Sequence, residues 1–244
     1  MLPRCGGQAV GNILWSSAKI RVGLDSLEPG IVTHLVNRFL YLTKSQTAAE
    51  RPNAQEVANV LWALASMKHT TTSSALLDAC CEQFTQLVMS SDAAKKPKAQ
   101  ACANVLWAVS TLGHVPKPSF VAVLVNQFLY LIRLPVAAER PNAQEVSNVL
   151  WALATMKLLP TSTSLIDACC EQFSTLMKSL EAAKQPTAQN VANLIWALAV
   201  LEHMPSDSFL NLCCELCHTL VVNASAQNVA NVLWALVQAQ ACPK

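Results

Sequence analysis

Residues 53–68 read NAQEVANVLWALASMK, and residues 142–157 read NAQEVSNVLWALATMK. Looser copies stand at 8–15 (QAVGNILW), 98–113 (KAQACANVLWAVSTLG), 187–202 (TAQNVANLIWALAVLE) and 225–240 (SAQNVANVLWALVQAQ). All six tryptophans, Trp15, Trp62, Trp107, Trp151, Trp196 and Trp234, lie inside these lines at spacings of 47, 45, 44, 45 and 38 residues. Such a period marks stacked supersecondary units rather than one globule. A longer period overlies it. LVNRFLYL at 35–42 returns as LVNQFLYL at 124–131, and AAERPNAQEV at 48–57 returns unchanged at 137–146, both displaced by 89 residues. A block of two repeats has been duplicated.

Each unit reads as a pair of helices. Helix A is the quoted line. It starts behind Pro52, Pro97, Pro141 or Pro186, and the Asn, Thr or Ser that follows can cap it. A Pro/Ser/Thr turn such as HVPKPS at 114–119 leads to helix B, as in SFVAVLVNQFLYLIRL at 119–134. The pattern predicts an all-α protein, a right-handed α-solenoid with six A helices and five B helices. A single helical-repeat domain would fill 1–244, with units at 8–52, 53–97, 98–141, 142–186, 187–224 and a partial 225–244.

On a helical wheel at about 100° per residue, Val57, Val60, Leu61 and Leu64 form a core face toward helix B. Ala58 and Ala65 on one flank and Ala63 on the other let neighbouring A helices approach closely. Opposite the core runs a second stripe, Gln55, Asn59 and Trp62. It recurs as Gln8/Asn12/Trp15, Gln100/Asn104/Trp107, Gln144/Asn148/Trp151, Gln189/Asn193/Trp196 and Gln227/Asn231/Trp234. Two roles compete for it. One is mortar: amides bridging adjacent A helices, with tryptophan filling the gap. The other is a ligand-facing row, whose amides bond base edges or peptide backbone and whose rings stack. Identity in every repeat suits mortar, because reading a varied ligand needs varied residues. The candidates for readout are therefore the variable neighbours. One set is Ala9, Glu56, Ala101, Glu145, Asn190 and Asn228; the other is Lys19, Ser66, Thr111, Thr155, Val200 and Gln238.

The 244 residues are 52% hydrophobic and 13% charged, with a formal net charge of +2. That balance argues only weakly for a polyanionic partner. The cations are unevenly placed. Lys44, Arg51, Lys95, Lys96, Lys98, Arg133, Arg140 and Lys184 all lie in loops from helix B to the next helix A. There they flank helix N-termini, whose free N–H groups favour anions, so a phosphate backbone could follow this edge. Glu50, Asp92, Glu139 and Glu181 in the same loops offer a plain solvated edge instead.

Other signals carry less. Ten cysteines include the adjacent pairs Cys80–Cys81, Cys169–Cys170 and Cys213–Cys214 in one register, read as buried free thiols in a reducing compartment. CELCH at 214–218 matches a haem-attachment pattern but sits inside a B helix in register with CEQFT at 81–85. No zinc-ligand spacing, phosphate loop or nucleophile elbow is present, so neither cofactor, metal nor catalysis is expected. The long uncharged run 216–243 carries too many amides for a lipid-facing span, so no membrane partner is expected either. The repeat begins at Gln8, which leaves no room for a transit peptide, and neither end shows a polar capping repeat. Bare ends suggest end-to-end contact or a partner that covers them.

The line A-Q-x-V-A-N-V-L-W-A-L-A, with its Pro-bearing turn and second helix, resembles the octotricopeptide repeat. That unit is a helix pair of about 38 residues, and the Trp196 to Trp234 spacing of 38 is similar to it. Related repeats occur in FAST-kinase-like and RAP-domain proteins and in helical-repeat subunits of mitochondrial RNA-editing complexes. The resemblance implies a non-catalytic protein that binds single-stranded RNA in a chloroplast or mitochondrion, acting in RNA processing, stability or translation. It also implies protein partners in a ribonucleoprotein complex. The family's Pro-Pro-Pro-Glu-Trp motif before helix B is reduced here to PKPSF at 116–120, PTSTSL at 160–165 and PSDSF at 205–209. No RAP-type domain is present. The rival readings are an armadillo-like peptide groove in a protein-binding scaffold, and a truncated repeat fragment.

Overall fold

A computed structural model of the chain describes residues 5–20, 30–69, 72–158, 163–220 and 224–241. Among them it is all-helical, with 11 α-helices packed in neighbouring pairs and no strand. The A helices are α1 (Gly7–Ile20), α3 (Ala54–Ser66), α5 (Ala99–Thr111), α7 (Ala143–Thr155), α9 (Ala188–Val200) and α11 (Ala226–Ala241). The B helices are α2 (Ile31–Thr43), α4 (Ser74–Val88), α6 (Pro118–Ile132), α8 (Ser164–Met177) and α10 (Asp207–Leu220). None of the described helices is long and apolar enough to cross a membrane. The chain forms two compact units, Met1–Gln127 and Phe128–Lys244.

In the first unit α1, α3 and α5 pack side by side, and α2 and α4 lie against them and each other. In the second, α7, α9 and α11 pack side by side, backed by α8 and α10. The wheel explains both. Val57, Val60, Leu61, Ala63 and Leu64 of α3 are completely buried, and so are Val149, Leu150 and Ala152 of α7. Each B helix that has its phenylalanine in the described core points it inward: Phe39, Phe84, Phe128 and Phe173 are completely buried. Truncating one such ring costs about 3–5 kcal/mol.

The helix starts are well built. Asn53 Oδ1 accepts from Glu56 N, and Glu56 Oε2 accepts from Asn53 N, each at 3.0 Å. Asn142 with Glu145 and Thr187 with Asn190 repeat this reciprocal capping box. The ends repeat as well. Lys68, Gly113, Lys157 and Glu202 all take positive φ, between 52° and 68°. The next N–H returns five residues, for example from His69 to Leu64 O at 3.0 Å and from Leu158 to Leu153 O at 2.9 Å. This is a Schellman ending. Among the described residues, only the repeat of α5 fills its left-handed position with glycine.

Candidate nucleic-acid interface

The stripe lies on one side of each A helix, away from the buried valines and leucines, but its members are not equally open. Gln55, Gln100, Gln144 and Gln189 are exposed. Asn59, Asn104, Asn148 and Asn193 are only half-buried, and so are Trp62, Trp107, Trp151 and Trp196. Asn59, Asn104, Asn148 and Asn193 are thus shared between the neighbouring helix and the open side. The reason is helical geometry. Four residues beyond its glutamine, each asparagine is turned by about 40° toward one flank of the helix. Its next neighbour on that flank, Ala63, Ala108, Ala152 or Ala197, is completely buried. The adjacent A helix approaches there, so closely that a Cβ on Gly11 of α1 would stand 3.8 Å from Asn59 Cβ. Packing between repeats therefore covers part of each asparagine and leaves the glutamines clear.

The rings also take part in that packing. Trp15 and Trp62 lie with ring centroids 6.4 Å apart and planes tilted by 40°. Trp151 and Trp196 repeat this at 6.4 Å and 36°. Lys19 Nζ sits 5.4 Å from the Trp15 ring and 5.0 Å from the Trp62 ring, capping that pair by cation–π contact. Trp15 and Trp234 are more open than the others, at 41% and 44%.

The amides do not bond between repeats. Among the described residues, no hydrogen bond joins a stripe Gln or Asn of one A helix to the stripe of the next. The one stripe bond, Gln227 Nε2 donating to Asn231 Oδ1 at 2.8 Å, stays inside α11. Between α1 and α3, Gln8, Asn12, Gln55 and Asn59 line a narrow groove of about 180 Å³. Among the described residues, neighbouring repeats are not joined by amide-to-amide bonds in the stripe. The glutamines face outward, and the asparagines keep one open side.

The variable positions divide. In the first set, Glu56, Glu145 and Asn190 are engaged in the capping boxes, and Asn228 N donates to Ser225 Oγ at 3.2 Å. Asn190 Nδ2 also reaches across to Ser147 Oγ on α7 at 3.4 Å. Burial pushes the Glu145 carboxyl above its ordinary range, against the lowering effect of the Asn142 N–H. Ala9 is exposed and Ala101 half-buried, with no polar group to offer. The second set stays open at the far end of the stripe: Lys19, Thr111, Thr155 and Gln238 are exposed, and Ser66 and Val200 half-buried.

The basic loops are folded, with a 3-10 turn at Ala93–Lys95, Ala137–Glu139 and Ala182–Lys184. Arg51 Nε donates to Ser45 O at 2.7 Å, and Arg140 Nε to Leu134 O at 2.6 Å, so each arginine clamps its own loop. Lys95 lies 3.6 Å from Asp92 and Lys184 lies 2.7 Å from Glu181. Lys44, Lys96, Lys98 and Arg133 are exposed and make no ion pair among the described residues. In the first unit a groove of about 650 Å³ carries Arg38, Arg51 and Lys95, with Glu50 and Glu56, beside the starts of α1 and α3. A groove of the second unit, about 500 Å³, holds Arg133 and Arg140 with Asp167 and Glu171.

One repeated device has no counterpart in the sequence reading. Gln83 Nε2 donates to Pro52 O at 2.8 Å, Gln127 Nε2 to Pro97 O at 3.1 Å, and Gln172 Nε2 to Pro141 O at 2.8 Å. All three glutamines are buried. Each ties a B helix to the peptide that opens its partner A helix. Arg38 takes the same register in α2 and donates to Cys5 O at 2.8 Å. The signal for it is the polar residue before each inward phenylalanine, in NRF, NQF and EQF.

The thiols behave as buried groups. Burial, then the charges of Asp78 and Glu82, raises Cys81 to about 12, and burial followed by Asp167 and Glu171 does the same to Cys170. No metal-binding group of His, Cys, Asp or Glu occurs among the described residues. The side chains of Cys217 and His218 lie outside them. No family model matches the chain, and neither does any curated protein.

Proposed function

We propose that the chain is a right-handed α-solenoid of two-helix repeats that binds single-stranded RNA without catalysis. The sequence period supports one continuous stack, since the Trp107 to Trp151 spacing of 44 matches its neighbours. The observation that carries RNA binding is the unbridged amide row, open at its glutamines, beside partly open indoles. Amides meet base edges, and indole faces and edges meet bases, in a sequence-tolerant way. Asn104, Asn148 and Asn193 would contribute only through their open side, so Gln100, Gln144 and Gln189 would carry most of the amide contacts. The free cations Lys44, Lys96, Lys98 and Arg133 and the helix starts would hold phosphates. Readout would fall to Ser66, Thr111, Thr155, Val200 and Gln238, with Asn228, because Glu56, Glu145 and Asn190 are engaged in capping and Ala9 and Ala101 offer no polar group. The likeness to octotricopeptide repeats supports the same reading and an organellar role in RNA processing, stability or translation, with protein partners in a ribonucleoprotein complex.

The test is fluorescence anisotropy with a pool of labelled single-stranded RNAs across a salt series, beside Lys95→Glu/Lys96→Glu/Lys98→Glu. Each phosphate contact on a single strand contributes about 0.7 to the slope of log K against log salt. Loss of the two free-lysine contacts, at Lys96 and Lys98, lowers the slope by about 1.4. Salt-insensitive binding of an extended peptide, with no RNA binding at low salt, would favour the scaffold reading.

A further inference from the structure

α1 departs from the other A helices at two residues that face α3. Where α3, α5 and α7 open on the buried alanines Ala54, Ala99 and Ala143, α1 has Gly7. Where they carry Ala58, Ala103 and Ser147, none more than 2% exposed, α1 has Gly11. The two glycines do different things. A Cβ at Gly7 would stand 2.6 Å from Glu56 Oε2, so Gly7 lets the Glu56 carboxylate come up against α1. A Cβ at Gly11 would meet nothing closer than 3.8 Å, so a methyl fits there and its absence leaves space. In α7 the corresponding Ser147 fills that place and accepts from Asn190, the counterpart of Glu56 in α9.

The space belongs to the narrow groove of about 180 Å³ between α1 and α3, where Gln8, Asn12, Gln55, Asn59 and Glu56 converge beside Gly11. Among the described residues the side chains of these four amides have no hydrogen-bond partner in the protein. Each amide offers both donors and an acceptor. Capping occupies one Glu56 oxygen, which accepts from Asn53 N at 3.0 Å, and leaves the other. The lining holds one carboxylate and no cation, so it disfavours a phosphate and suits a neutral planar group rich in donors and acceptors. Amides pair bidentately with a base edge, and a carboxylate accepts from an exocyclic amine. Uracil is the one RNA base without such an amine.

We infer that the α1–α3 groove seats one unstacked nucleobase by its edge, and prefers a base with an exocyclic amine to uracil. The inference rests on the RNA-binding reading above. It makes this step of the stack base-selective, whereas contacts to indoles are sequence-tolerant. The missing methyl at Gly11 admits the base, and Gly7 brings the carboxylate that selects it.

The test is fluorescence anisotropy with uridine oligomers that carry a single adenosine or cytidine at successive positions. Wild type should bind about tenfold more tightly than to the all-uridine strand when the substitution falls in one register. Gly11→Ala restores the methyl of the other repeats, fits without a clash and favours the helix, so its melting temperature should not fall. It should bind the substituted and all-uridine strands alike. Asn12→Ala, at an exposed position, should lose the preference as well, and does not depend on the packing at Gly11. RNA binding with no favoured register, or a preference that survives either substitution, overturns the groove as a base site and leaves the RNA-binding reading standing. A folded wild type that binds no strand at low salt overturns both.

Discussion

Gln172→Leu removes one clamp with little change of volume. Gln172 is 7% exposed and donates at 2.8 Å to the carbonyl of Pro141, the last residue before the Asn142 cap of α7. Leucine fills the space but donates nothing. The Pro141 carbonyl then sits beside an apolar group, and orphaning a buried acceptor costs about 1–3 kcal/mol. With a urea slope of about 3 kcal/mol/M for a chain of this size, the midpoint should fall by about 0.3–1 M. The assay is urea unfolding followed by both tryptophan fluorescence and far-ultraviolet circular dichroism, since repeat arrays can lose cooperativity. Gln189→Leu, an exposed stripe amide, is the control and should stay within about 0.5 kcal/mol of wild type. Equal midpoints for the two variants would refute the reasoning, because water would then be satisfying the Pro141 carbonyl as well as the glutamine does.

Asn142→Ala should cost about 1 kcal/mol, with faster amide exchange confined to the first turn of α7. Gly113→Ala should destabilise by about 1 kcal/mol through its left-handed φ of 68°, since nothing lies close enough to clash; thermal melts read this. Glu145 has a folded-state carboxyl raised by burial, so its contribution is full below the ordinary glutamate range and is lost as pH rises through the raised value. Urea midpoints of wild type and Glu145→Gln across that range should converge at acid pH and separate in favour of the variant as pH rises. Alkylation of the native protein followed by mass spectrometry should mark the exposed Cys214 first, with Cys80 and Cys169 reacting only on unfolding, because burial raises both thiols.

The helix pairs and their core faces are legible because Val57, Val60, Leu61 and Leu64 recur at helical spacing behind a proline, and small flanks predict close A-helix packing. The reciprocal partner of the cap is not. Glu56 and Glu145 vary between repeats and therefore look like readout positions, yet variation among Glu and Asn preserves a side-chain acceptor for the cap N–H. The left-handed helix ends at Lys68, Lys157 and Glu202 have no glycine to announce them. The glutamine clamps span about thirty residues of sequence, as Gln83 to Pro52 does; the polar residue before each inward phenylalanine marks the donor, but nothing local names its distant acceptor. The stripe divides in a way its repetition hides. Repetition points to amide mortar, whereas the rings pack and, among the described residues, the amides do not bridge. A single wheel places Asn104, Asn148 and Asn193 with their glutamines, but how much of each the neighbouring helix covers depends on the distance between repeats, which one helix cannot report.

Ultraviolet crosslinking of the folded chain to single-stranded RNA, with the attached peptides identified by mass spectrometry, tests the RNA-binding reading most directly. Crosslinks concentrated on the A-helix lines, at Trp107, Trp151 and Trp196 and in the adjoining Lys96–Lys98 loop, are the predicted result. Crosslinks confined to the B helices, or no RNA retained at low salt by a folded sample, would contradict it.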